Sequence, residues 1–287
     1  MKGVGGFYYV HGHEACVYEC RAKGSFRNQK MKPLVGDNVE FTILDEENKK
    51  GNITEIFPRT NELLRPEISN IDQALVIFAI TQPTPNLNLL DRFLIMMTKQ
   101  KVNTIICFNK MDIGSEHELY LLEKTYEKCG YPIMFTSVLE RSGIEEIKEL
   151  LKGKTTVLAG PSGVGKSSII NELIPEVHIK TGGISKKIKR GKHTTRHSEL
   201  FHIGNGTYIM DTPGFSSLYV NDFEKEELKD FFLEFVEYEG QCRFQGCVHI
   251  NEPDCAVKDA ISSGILSKTR YDNYKLLYNE LKNQRRY

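Results

Sequence analysis

The run Gly160-Pro161-Ser162-Gly163-Val164-Gly165-Lys166-Ser167 constrains what this chain can fold into more than any other feature. It fits G-x-x-x-x-G-K-[ST] directly after the apolar stretch "TTVLAG", so a strand, a tight loop and a helix starting near Lys166 are expected in succession. The glycines let the backbone curl until its N–H groups point inward, and the helix adds the positive end of its dipole. That is a cradle for phosphate. An ordinary glycine turn tolerates the same composition but does not call for the flanking strand and helix. Lys166 is expected to reach the β- and γ-phosphates of a nucleotide and Ser167 to ligand Mg²⁺, with Ser168 closing the phosphate-binding stretch.

The neighbouring texture agrees. "DQALVIFAI", "NTIICFN", "PIMFTS" and "TTVLAG" read as apolar strands, with "NLNLLDRFLIMMTKQK", "SEHELYLLEKTYEKCG" and "GIEEIKELLKG" as helices between them. Uniformly apolar strands alternating with helices predict a mainly parallel sheet covered on both faces. "ELFHIGNGTYIMDTPG" then reads as a hairpin turning at Gly204-Asn205-Gly206. Before it all, "GFYYV", "ACVYECRA", "DNVEFTIL" and "GNITEIF" are short and rich in β-branched and aromatic residues, which fits a small OB-like barrel. "FPRTNELLRP" is expected to be a linker. After about Leu218 the chain turns helical and polar. The expectation is an α/β chain in three parts: a barrel over 1–65, a nucleotide domain over 66–218 and a helical module over 219–287.

Asn109-Lys110-Met111-Asp112 stands at the end of the strand "NTIICFN". An aspartate there can accept from both N1–H and the exocyclic amine of guanine, which adenine does not offer in that arrangement. Asn109 can address the other edge of the base, and the Lys110 stem can lie along the ring. "FTSV" ends the next strand, and its backbone around Ser137 is a second candidate for the purine. Asp211-Thr212-Pro213-Gly214 follows the strand "TYIM", where a carboxylate suits Mg²⁺ and the Gly214 N–H suits a γ-phosphate. The order is therefore base loop, second base loop, phosphate loop, then DTPG. In an ordinary Ras-like GTPase the phosphate loop comes first. A parallel sheet requires particular strand neighbours rather than a particular place for the chain ends, so the domain is expected to be circularly permuted.

With "NKMD", "GPSGVGKSS", "GKHTTRH" and "DTPG" in this order, the sequence resembles the RsgA (YjeQ/YloQ) family of small-ribosomal-subunit-dependent GTPases over nearly its whole length. The resemblance implies hydrolysis of GTP to GDP, stimulated by the 30S subunit and its 16S rRNA, in late subunit maturation. It also implies a C-terminal zinc module.

"SKKIKRGKHTTRH" lies between the phosphate-loop helix and the hairpin, and its composition is that of a mobile loop. Thr195, or its neighbour Thr194, is the candidate to ligand Mg²⁺ when a γ-phosphate is present. Ras-like enzymes carry a water-positioning glutamine after DTPG, whereas this chain has Phe215, which cannot hydrogen-bond a water. His193 is the nearest group able to orient or deprotonate one, with His197 as rival and a solvent-facing His193 as the plain alternative. The family resemblance points to the same His193.

"CRFQGCVHINEPDC" places Cys242, Cys247, His249 and Cys255 on one tight loop, a complete tetrahedral set for one structural Zn²⁺. His11, His13, Cys16 and Cys20 make a looser group that reads as strand and turn residues. Seven cysteines in 287 residues do not suggest a disulfide scaffold. The formal net charge is zero, but Lys180 to His197 holds seven Lys/Arg and no acid, and Ile265 to Tyr287 six Lys/Arg against two acids. Such patches can meet phosphate, or they can be solvated faces. The barrel's Phe7, Tyr8, Tyr9, Tyr18 and Phe26, with Arg21, Lys23, Arg27, Lys30 and Lys32, suit either RNA stacking or core packing.

No run reaches the roughly 18 apolar residues needed to span a bilayer, and the N-terminus lacks an apolar signal region. A cytoplasmic monomer without a membrane partner is expected. Two other readings compete: a P-loop kinase, against which the base loops argue, and a non-catalytic RNA-binding switch.

Overall fold

The computed structural model describes residues 2–12, 16–24, 26, 31–64, 67–174, 199–211 and 223–283. Strands β1 (Lys2–Val4), β2 (Phe7–His11), β3 (Val17–Ala22), β4 (Val39–Asp45) and β5 (Lys50–Ile56) form one sheet in the order β1-β2-β3-β5-β4. The β3–β5 pair is parallel and the other pairs are antiparallel, a non-sequential five-strand arrangement of the OB type. The alternation of the strands splits their aromatics between two faces. Tyr8, Val10, Tyr18, Cys20, Phe26, Ile53 and Ile56 pack inward. Phe7 and Tyr9 lie on the other face of β2, under the Arg21 guanidinium at 4.8 Å and the Lys2 ammonium at 5.3 Å.

The expected linker is instead partly a hairpin, β6 (Glu62–Leu64) with β7 (Glu67–Ser69). Leu63 and Ile68 are buried in the core of the next sheet, and Arg59 holds both oxygens of Asp37. Three-residue strands are too short for period-two alternation to register in sequence.

The central sheet comprises β8 (Gln73–Ala79), β9 (Asn103–Asn109), β10 (Ile133–Thr136), β11 (Thr155–Ala159), β12 (Glu199–His202) and β13 (Tyr208–Asp211), in the order β10-β9-β8-β11-β13-β12. Every neighbouring pair is parallel except the hairpin β12–β13. Helices α1 (Leu87–Lys99) and α2 (Glu116–Tyr126) bring Leu90, Phe93, Leu122 and Tyr126 against Val76, Phe78 and Phe108 on one face. Helices α3 (Ile144–Leu151) and α4 (Lys166–Leu173) bring Ile147, Leu151, Ile169 and Ile170 against Leu75, Ile77 and Cys107 on the other. Both faces of β8 are therefore covered, which is why all seven of its residues are buried.

The chain enters this sheet at β8, in the middle, runs outward to β10, and returns to β11 on the other side of β8. Adjacent β8 and β11 thus lead in opposite directions. A crevice opens at the carboxyl ends of such a pair, where nucleotides bind in open α/β sheets.

Beyond residue 223 the chain is helical but begins with two 3₁₀ segments, Lys225–Phe231 and Leu233–Tyr238, before α5 (Ala256–Ser262) and α6 (Lys268–Asn283). Phe232 separates the 3₁₀ segments, and its ring and that of Phe235 stack in the module's core. Ile95 of α1 belongs to the same core. Beside it, buried Arg270 of α6 donates to Asp91 of α1 and to Glu234, while Asn273 and Tyr126 also donate to Asp91. The guanidinium lies 5.2 Å from the Tyr126 ring and 5.0 Å from the Phe232 ring. Burial pushes the Asp91 carboxyl up to about 6, against the opposing pull of Arg270 and Asn273.

Removing one member of a buried ion cluster strands the rest. Arg270→Met alone should cost about 3–5 kcal/mol in denaturant unfolding, whereas the triple change Asp91→Leu, Glu234→Leu, Arg270→Met should restore most of that loss. Equal stability of wild type and Arg270→Met would contradict this role for the cluster.

Candidate functional site: a nucleotide cleft and a cysteine–histidine cluster

Asn109 ends β9, Thr136 ends β10, Ala159 ends β11 and Asp211 ends β13, all parallel strands of one sheet. The carboxyl ends of these four strands therefore lie at one edge. Gly160 begins the phosphate loop at φ +140°, where an added Cβ would lie 2.1 Å from the Ile77 carbonyl oxygen of β8. Gly163 and Gly165 are also left-handed, at φ +84° and +103°. A Cβ on Gly165 would meet the Asn109 amide nitrogen at 2.2 Å. Val164 turns inward and is buried, while Ser162 and Gly163 are exposed at the mouth. Lys166, first residue of α4, folds its ammonium over the loop and donates to the carbonyls of Gly160 and Pro161, both at 2.7 Å. Ser167 and Ser168 follow in the first turn, half-buried.

The base loops reach the same place. Asn109 is buried, donates from Nδ2 to the Val164 carbonyl at 2.9 Å and accepts from the Thr136 hydroxyl at 3.0 Å. One side chain thereby joins the loops that follow three strands. Lys110 takes a left-handed conformation, φ +66°, and its ammonium donates to the Gln82 carbonyl at 2.5 Å. Met111 is half-buried and packs against the core cluster. Asp112 accepts from the Ser137 hydroxyl at 2.6 Å, and that hydroxyl in turn accepts from the Glu140 N–H at 3.1 Å. Ser137 is fully buried, and its N–H bonds Ser142.

The Thr136 hydroxyl and the Gln82 carbonyl were not evident from sequence, which offered Thr136 only as part of the "TSV" backbone. Thr136 looks like any strand-end β-branched residue, and Gln82 contributes only a backbone carbonyl. The Asp211 backbone pairs with β11 and β12 at the edge just described. His193, Thr194, Thr195, His197, Gly214 and Phe215, by contrast, lie outside the described residues.

The cysteine–histidine set does converge. One ligand atom each from Cys242, Cys247, His249 and Cys255 lie within 4.8 Å of one another. The Sγ of Cys255 is 3.9 Å from that of Cys242 and 3.8 Å from that of Cys247, and His249 Nδ1 is 3.3 Å from Cys255 Sγ. Tetrahedral Zn–S bonds of about 2.3 Å require sulfurs about 3.8 Å apart, so the set fits zinc. Burial pushes the Cys247 thiol up to about 12, and a coordinated cation is what favours the thiolate. The loop is held from α6, where Tyr271 and Tyr274 donate to the carbonyls of His249 and Val248. Glu252 accepts from the N–H groups of Val248, Ile250 and Asn251. Among the described residues no second such cluster occurs. His11 and Cys20 are strand residues, and His13 lies outside the described residues.

Comparison with known proteins follows the same division. Residues 56–221 match the RsgA GTPase family and residues 1–53 the RsgA N-terminal domain. A protein from Agathobacter rectalis named small ribosomal subunit biogenesis GTPase RsgA is 59% identical, covering 100% of this chain and 98% of its own. Its namesake from Alkaliphilus metalliredigens is 49% identical, with the same coverage of 100% and 98%. The crystal structure of YjeQ from Thermotoga maritima superposes with a TM-score of 0.82 at 37% identity, covering 97% of this chain and 95% of that one. That of YloQ, described as a circularly permuted GTPase, gives 0.79 at 39% identity, covering 100% and 95%.

Gly160→Ala should weaken GDP binding at least about tenfold by calorimetry, since the strain and clash exceed about 1.4 kcal/mol. Unchanged affinity with an unchanged far-ultraviolet spectrum would contradict the loop geometry.

Proposed function

The chain belongs to the RsgA GTPase family, and from the geometry of its cleft we infer how it binds and hydrolyses GTP in the biogenesis of the small ribosomal subunit. It is a circularly permuted GTPase with an OB-like N-terminal part. The observation that carries the site reading is the Asn109 amide, bonded at once to the phosphate loop and to the end of β10. It brings both base loops to the phosphate loop in one cleft.

In this reading Asp112 accepts from N1–H and the exocyclic amine of guanine, with Ser137 fixing the carboxylate through its hydroxyl. Asn109 holds the purine edge, and the Lys110 stem covers the ring. The N–H groups from Gly160 to Ser168 surround the phosphates. Lys166 leaves the loop carbonyls for the β- and γ-phosphate oxygens, where its charge offsets the negative charge of the transition state. The oxygen donors Ser167, Thr195 and Asp211 suit a hard cation; Ser167 starts α4 after the loop that follows β11, and Asp211 ends β13, the neighbour of β11. Mg²⁺ held there supplies electrostatic stabilisation of the phosphates. The Gly214 N–H contacts the γ-phosphate. His193 orients the attacking water and accepts its proton, since Phe215 cannot.

The barrel's outer face, with Phe7 and Tyr9 under Arg21 and Lys2, suits 16S rRNA of the 30S subunit. Cys242, Cys247, His249 and Cys255 hold one structural zinc, with no open position for catalysis. We divide the chain at about 65 and 218 into barrel, GTPase domain and zinc module. No helix among the described residues is long and apolar enough to cross a membrane. The chain acts in the cytoplasm as a monomer.

GTP turnover with and without small ribosomal subunits, with ATP as control, tests this reading. Slow intrinsic hydrolysis, strong stimulation by subunits and no use of ATP are expected, and His193→Ala should lower the stimulated rate about 100-fold or more. Equal rates with and without subunits would overturn the partner, and an unimpaired His193→Ala would overturn the catalytic assignment.

A further inference from the structure

The barrel touches the GTPase sheet through a contact between β2 and β13. His11, last residue of β2, shares a hydrogen bond of 2.6 Å through Nδ1 with the Tyr208 hydroxyl of β13. Its ring also lies 4.3 Å from that of His202 in β12, tilted by 43°, and the His202 and Tyr208 rings are 5.0 Å apart. Residues 11 and 208 are separated by 197 positions, so this is a junction between two folding units.

Its position gives it meaning. His202 and Tyr208 face each other across the antiparallel ladder at the turn end of the β12–β13 hairpin. The other end of that hairpin, at the pair Glu199–Asp211, is where the chain joins residues 175–198 and 212–222. Those two stretches carry His193, Thr195 and Gly214. The β12 strand is the edge of the sheet, while β13 pairs with β11, which delivers the phosphate loop. The turn end of this hairpin and the residues that lead into both stretches therefore belong to one two-stranded unit, laid against the strand that delivers the phosphate loop.

The contact is also incompletely satisfied. His11 Nε2 is buried without a hydrogen-bond partner. Whichever tautomer serves the Tyr208 bond, one ring nitrogen stays unpaired. A buried polar atom left unpaired favours states in which it reaches water or another donor, so this junction is poised to separate. Such a weak link suits a coupling element better than a permanent weld, and it contrasts with the satisfied bonds that tie Val35, Gly36 and Asp37 to Ser69 and Asn70 and with the Arg270 cluster.

We propose that His11, His202 and Tyr208 form a breakable joint through which the position of the barrel sets the β12–β13 hairpin, making His11 and Tyr208 positioning residues for subunit-stimulated GTP hydrolysis. The inference rests on the reading that the small subunit is the stimulating partner. Docking of the barrel on that partner pulls or twists β2, and the hairpin transmits the change to the edge where hydrolysis occurs.

His11→Ala and Tyr208→Phe, singly and together in the full chain, test the joint, with wild type alongside. Tyr208→Phe keeps the ring and removes only the hydroxyl, so it remains informative if His11→Ala folds poorly. The expected result is an intrinsic kcat and KM for GTP within about twofold of wild type, unchanged subunit affinity in sedimentation, and a stimulated kcat lowered at least about fivefold. The double variant should lose no more than the worse single one, because both changes break one contact. Full stimulation in both single variants, or a loss of subunit affinity that accounts for the defect, would overturn the joint while leaving the proposed function intact. A wild type that subunits fail to stimulate would overturn the partner reading and this inference together.

Discussion

Two hydrogen bonds on one buried side chain hold the nucleotide cleft together. Asn109 gives its amide to the Val164 carbonyl and takes the Thr136 hydroxyl, so the loops after β9, β10 and β11 share a single fixed point. Gly165 is required beside it because any Cβ would displace that amide. An unpaired amide at a site with 2% exposure would be costly, which makes the arrangement all-or-none: the loops assemble around Asn109 or they leave it unsatisfied. Chain order does not enter. The bond needs β9, β8 and β11 to be neighbours, and the sheet meets that requirement wherever the ends fall.

The rotated order has a mechanical consequence. Residues after DTPG lead directly into the C-terminal module, which is clamped to α1 through Arg270, Asp91 and Asn273 and through Arg92 with Glu280. Helix α1 follows the stretch containing Gln82 and Pro83, whose carbonyl and ring approach Lys110 and Gly163. The module is thus connected to the cleft by two routes, one along the chain and one through packed side chains. The barrel has a third, looser connection at His11. Firm and weak joints on one nucleotide domain are the layout expected of a protein that reports nucleotide state to a larger partner.

Much of this was legible from residue patterns. Uniformly apolar β8 and β9, the glycine loop before Lys166 and the Gly204–Gly206 turn each specify local structure with little competition from tertiary context. The cysteine spacing likewise foretold a converging set of ligand atoms. Less was legible where long-range contact decides. The β6–β7 hairpin has strands too short to carry a pattern, and Leu63 and Ile68 acquire their role only against the central sheet. The basic tail read as either a phosphate-facing patch or a solvated face, yet Arg270 is buried between two acids distant in sequence, while Lys275 does remain in an exposed pair with Asp272. The barrel aromatics could not be sorted by composition: strand parity sends Tyr8 and Tyr18 inward and leaves Phe7 and Tyr9 outside.

If Asp112 and Lys166 act on opposite ends of one guanine nucleotide, changing the base that the site accepts should leave the need for Lys166 intact. In Asp112→Asn the side-chain oxygen still accepts from N1–H, but the new amide donates to a carbonyl at C2, which xanthine has and guanine lacks. Hydrolysis of GTP and of xanthosine triphosphate would be compared for this variant, with and without Lys166→Ala. The preference should invert from guanine to xanthine, and both activities should be lost when Lys166 is removed. Retention of the guanine preference by Asp112→Asn would contradict these roles.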